Sequence, residues 1–275
     1  MMRDASAEPP TGERAMAPVA AGALELRGPA SGLLDDHILM RVRGAGPGTA
    51  LTWRARYRDD DGRVWRSAAS RCEDLATGWS PGKEGTGAVA ALRSLRPVSV
   101  DVRAETADGR SATRTLTRRI AADGVRTRRW RDGVAATLHV PARPDPCATV
   151  IIDATTGAAQ ATVATLAAPL LASRGVLALV VVVARGRTVA ADPLAVARER
   201  LSAVPAASTA ILLLSALDPL GEDETVSEPG DGAVVLPPGV GVREARAGGA
   251  VARAAAWDTL LQRLGARPRE RPIVP

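Results

Sequence analysis

The chain has 275 residues, 46% of them hydrophobic, enough to bury a sizeable core in one large domain or two ordinary ones. Its net charge is +6, but the 36 basic residues include a single lysine, Lys83; residues 1–143 carry 24 basic and 17 acidic side chains, residues 144–275 carry 12 and 13. With no basic helix and no run of stacking aromatics, these arginines read as solvated faces, which excludes nucleic acid as the partner.

Residues 1–20 hold acids and prolines where a signal peptide needs an uninterrupted apolar stretch, so they read as a disordered leader. From 21 to 122 the chain breaks into short segments with β character: 38–44 (ILMRVRG), 50–58 (ALTWRARYR), 63–71 (RVWRSAASR), 98–105 (VSVDVRAE) and 111–119 (SATRTLTRR). Turn chemistry separates them, at Gly46-Pro47-Gly48, Asp59 to Gly62, Ser80-Pro81-Gly82 and Asp108-Gly109. Leu51, Trp53, Ala55 and Tyr57 alternate with Thr52, Arg54, Arg56 and Arg58, which predicts an antiparallel β-sandwich with one face wet.

A different pattern begins near residue 125. Segments 125–130 (VRTRRW) and 134–140 (VAATLHV) flank Asp132-Gly133 as a hairpin, and an apolar strand 148–153 (ATVIID), a helix over 159–173 and an apolar strand 176–184 (VLALVVVVA) follow. Strands apolar on both faces and joined by a helix predict a parallel sheet covered by helices, with Gly175 at the helix C′ position. Asp192 and Pro193 open a helix over 192–204; then come the strand of 211–221 (ILLLSALDPLG), an acidic loop over 221–232, a short strand 233–237 and a final amphipathic helix over 249–264. The domains expected are therefore a sandwich over 21–122, an α/β part over 123–266 and a flexible tail over 267–275. The longest apolar run is about half a membrane span, and Cys72 and Cys147 lack metal or disulfide spacing. A cytoplasmic protein with no cofactor, no metal and no membrane span follows.

A sandwich followed by a hairpin-led α/β sheet resembles the acyl-CoA thioesterase and bile acid-CoA:amino acid N-acyltransferase family. The likeness is carried by LTWRARYRDDDGRVWRSAASR (51–71), LRSLRP (92–97), TRTLTRRIAADGVRTRRWRDGVAATLHVP (113–141) and LAAPLLASRGVLALVV (166–181), and more loosely by PPGVGV (237–242) and GGAVARAAAWDTLLQRL (248–264). It implies an Ig-like sandwich with a truncated α/β hydrolase-like domain, an acyl-CoA thioester as the small-molecule partner, and a nucleophile, histidine and acid acting on it.

That machinery is incomplete here. No Gly-x-Ser-x-Gly or Gly-x-Cys-x-Gly elbow occurs. If 211–217 is the elbow strand, Ser215 stands for the first glycine and Leu217 for the nucleophile. If it is the acid strand, Asp218 is the triad acid, and the histidine expected just after Pro238-Gly239-Val240-Gly241 is replaced by Val242. Ser215 and Cys147 remain the only nucleophile candidates, and each reads more simply as structural. His37, in Asp35-Asp36-His37, reads as a surface residue, and His139 as a strand residue remote from the carboxyl ends of the parallel strands. Between the 192–204 helix and an acid strand an intact hydrolase needs about a hundred residues; their absence reads as a central block lost.

Overall fold

The computed structural model describes residues 23–72, 75, 80–81, 90–131, 135–143, 146–154, 158–182, 192–204, 211–216, 233–234 and 249–268. The chain is a mixed α and β protein, with three sheets and three helices among the described residues. The expected leader, 1–20, lies outside them, as do Asp218 and Val242.

The first part holds β1 (Glu25–Arg27), β2 (Ser31–Leu33), β3 (Arg41–Arg43), β4 (Leu51–Arg58), β5 (Val64–Ala69), β6 (Ser80–Pro81), β7 (Val98–Thr106) and β8 (Ser111–Arg119). Six of these form one sheet in the order β2-β8-β7-β4-β5-β6, antiparallel except for the parallel pair β2-β8, while β1 and β3 form a two-stranded antiparallel ribbon. Alternation sets the facing of β4: Trp53, Ala55 and Tyr57 are buried, and Thr52, Arg54, Arg56 and Arg58 are exposed. Tyr57 lies opposite Trp65 on β5, and their rings stack with centroids 6.4 Å apart. Only 41–43 of the expected strand 38–44 is a strand; Ile38 and Met40 instead point into the core.

Asp59 does more than tip a turn. Its carboxylate accepts from the backbone N–H of Asp61 (3.1 Å) and Arg63 (2.9 Å), from Trp65 Nε1 (3.0 Å) and from the Ala91 N–H (3.1 Å), fastening the β4-β5 hairpin to a segment 32 residues on. Gly62, with φ of 80°, completes the turn where a side chain would be strained.

The second part holds β9 (Arg126–Trp130), β10 (Ala135–Val140), β11 (Ala148–Asp153), α1 (Ala158–Ser173), β12 (Val176–Val182), α2 (Pro193–Ser202), β13 (Ile211–Ala216), β14 (Ala233–Val234) and α3 (Gly249–Arg263). Its sheet runs β14-β13-β11-β12-β10-β9; β12, β11, β13 and β14 are mutually parallel, and β10 is antiparallel to both of its neighbours. Val150 and Ile152 pack on the side of α1 and α3, whereas Ile151 packs with Leu177, Leu179, Ala197 and Leu201 on the side of α2. Helices thus cover both faces, as the doubly apolar strands require. Gly175 adopts φ of 100° at the end of α1, the conformation its C′ position calls for.

The two parts share one core. Trp53, Trp65 and Val102 of the first belong to the same buried cluster as Val150, Leu170 and Trp257 of the second. A buried polar network crosses the same junction. Arg174 donates through Nε to Asp35 Oδ2 (3.2 Å) and through Nη2 to Asp35 Oδ1 (2.8 Å) and Asp36 Oδ1 (2.6 Å). Trp257 Nε1 donates to Asp35 Oδ2 (2.9 Å), and the Leu33 N–H to Asp36 Oδ2 (2.8 Å). The start of the expected flexible tail is held there too, since Arg174 Nη1 donates to Pro268 O (3.2 Å) and the Arg267 N–H to Arg174 O (3.0 Å).

Candidate functional site

An open α/β sheet forms its crevice where the strand order reverses, outside the carboxyl ends of the strands. Here that point lies between β11 and β13. From β11 the chain crosses through α1 to β12 on one side, and it later returns as β13 on the other side of β11. Asp153, the last residue of β11, is half-buried and is in register with Val181 of β12 and Ser215 of β13; Ser215 is in turn in register with Ala233 of β14. Register partners on adjacent strands lie about 5 Å apart, so a carboxylate-bearing and a hydroxyl-bearing residue stand side by side at the switch point. The Ala154 N–H donates to Val181 O (2.9 Å), tying the chain back to β12 as it leaves the sheet.

Of the other candidates, Cys147 and His139 are not brought to this place. Cys147 precedes β11 at its amino end, the full length of the strand away from Asp153. Although the residue is exposed, its sulfur turns onto the chain: Sγ donates to Gly175 O at 3.3 Å, and burial pushes the thiol up from its ordinary value, against nucleophilic use at neutral pH. His139 is buried on β10, in register with Ala178 of β12 and Thr127 of β9. Three residues along β12 separate the levels of Ala178 and Val181, and one strand lies between β10 and β11, so His139 is offset from Asp153 by about 10 Å in each direction. Burial, reinforced by Arg129, pushes its ring down to about 4, which leaves it neutral at pH 7.

His37 corrects the sequence reading. It is half-buried, not a surface residue, and with Asp36, Arg118, Ser31 and Leu116 it lines a small cleft beside β2 and β8. The two preceding aspartates are buried because they serve the Arg174 network, and that holds the histidine against the sheet.

No protein-family model matches the chain, and no curated protein matches it. The site's chemistry therefore rests on its residues. Asp153 was visible in the sequence only as the end of an apolar strand, and its register with Ser215 depends on a pairing between segments some sixty residues apart, which no local pattern announces. Among the described residues no group of three histidines, cysteines or carboxylates is placed to hold a metal ion, and no helix is long and apolar enough to cross a membrane.

Proposed function

We propose that this chain is a shortened relative of the acyl-CoA thioesterase and N-acyltransferase family that binds an acyl-CoA-type thioester at the switch point between β11 and β13 without turning it over. The observation carrying this reading is the strand order. Among the described strands, counted along the chain, the second sheet runs 1-2-4-3-5-6 with only its second strand reversed, as expected of an α/β hydrolase sheet, and it follows a mostly antiparallel sheet with one wet face. In that fold the elbow strand lies beside the strand whose following loop supplies an oxyanion-binding amide. The pairing of β13 with β11 favours the elbow-strand alignment of 211–217, which sets Ser215 at the first glycine and Leu217 at the nucleophile.

Leucine cannot attack a carbonyl, and a base must come within hydrogen-bond reach of the proton it takes. His139 is too far and too buried, and Val242 replaces the family histidine. Asp218, at the acid position of the other alignment, has no histidine to orient. What the residues support is thioester binding at the switch point without a proton-transfer chain.

The test is titration of the purified protein with coenzyme A and with acyl-CoA thioesters of several chain lengths, alongside a hydrolysis assay. Saturable acyl-CoA binding with no turnover above the free-solution rate is the expected result. Absence of binding overturns the ligand assignment, and turnover that disappears in Ser215→Ala or Cys147→Ala overturns the silent reading.

A further inference from the structure

The wet face of the first sheet is arranged against its own stability. Arg54 of β4 lies directly opposite Arg103 of β7, and Arg56 of β4 directly opposite Arg66 of β5, all four exposed. Like charges at directly opposed positions on one face destabilise a sheet. Two acids relieve this only in part: Asp101 accepts from Arg56 Nε at 3.1 Å, and Glu105 lies 3.5 Å from Arg103 Nη2. Among the described residues these four guanidiniums stand against two carboxylates, which leaves the patch positive, and the exposed Thr113 and Thr115 of β8 extend it as a polar surface.

We infer that this face docks an acidic, extended polypeptide segment. Strands about 4.8 Å apart with same-face residues about 6.7 Å apart present a grid of planar forks, and guanidinium is the cation that grips carboxylates bidentately. The large aromatics Trp53, Tyr57 and Trp65 all lie on the opposite, buried face. Among the described residues of the face nucleobases find no stacking platform, and with nothing larger than Val64 among its described apolar residues a lipid surface finds no anchor. The chain itself carries a segment of the required chemistry: residues 221–232 (GEDETVSEPGDG) hold five acids and no base.

A fluorescent peptide of the 221–232 sequence is titrated by anisotropy at low salt, beside a version with its acids changed to Asn and Gln, an oligothymidylate and phosphatidylserine vesicles. The acidic peptide is expected to bind, to weaken with salt, and to lose roughly five- to tenfold in affinity in the double variant Arg54→Thr and Arg103→Thr. Because that variant removes an opposed like-charge pair and places β-favouring residues on the strands, its melting temperature stays level or rises. Unchanged peptide affinity in the variant, equal binding of the neutral peptide, or tighter binding of the oligonucleotide or vesicles overturns the proposal. A fall in melting temperature does so as well, by showing that the arginines serve the fold.

Discussion

In the first sheet every second residue of β4 faces water, whereas in the second sheet four consecutive residues of β11 and six of β12 are buried. The difference follows from what covers each sheet. One face of the first meets the shared core and the other is bare, so polar side chains do much of the positioning, as the four bonds to Asp59 illustrate. The second lies between α1 and α3 on one side and α2 on the other, and mostly apolar side chains pack on both of its faces. The first sheet thus has positions to spare for recognition along its whole surface, while the second has them only at its strand ends, where Asp153 and Ser215 stand.

The contrast breaks first at the junction, which belongs to neither sheet. Arg174→Met takes one buried guanidinium away from Asp35 and Asp36, and a loss of about 3–5 kcal/mol is expected in urea denaturation. A loss under about 1 kcal/mol would show that the two parts stand independently. Asp59→Ala probes the polar positioning of the first sheet, because it strands Trp65 Nε1 and the Ala91 N–H inside; about 3 kcal/mol is expected, and a loss equal to that of an ordinary surface change would contradict the role given to this carboxylate.

His139 tests the dryness of the second sheet. With its folded pKa pushed down to about 4 from 6.5, the ring stays neutral in the fold while the unfolded chain takes up a proton. Stability is full above about pH 7, falls as pH drops from 6.5 to 4, by at most about 3 kcal/mol, and falls no further below 4 on this account. Denaturation midpoints of the protein and of His139→Leu, measured across that range, should converge in slope only outside it. The smallest effect belongs to the wet face: Arg56→Thr breaks an exposed pair with Asp101 and should move stability by no more than about 0.5 kcal/mol.

Most of the elements were legible because their residues repeat with a local period. β4 shows period two, β11 and β12 are unbroken apolar runs, and Pro193 and Gly175 mark a helix start and a helix end where the structure has them. What escaped was long-range. Nothing around Asp35 and Asp36 indicates that their partner lies 139 and 138 residues away, so the histidine after them reads as surface. β1 and β2 are three residues each, too short to show alternation, and β1 exists only because β3 pairs with it. The ambiguity of 211–217 is of the same kind: its residues suit either of two expected strands, and the pairing of β13 with β11 and β14 is a long-range fact that its local pattern does not carry.

The Arg174 network also bears on how this chain could be recombined. A first part transplanted onto another α/β domain would carry two inward-facing carboxylates without the Arg174 guanidinium that meets them, and a second part given a new partner would keep Arg174 Nε and Nη2 and Trp257 Nε1 without the carboxylates they donate to. The two halves can be exchanged only as a set, so the segment around residue 122 is a seam in the sequence and a poor place to cut the gene.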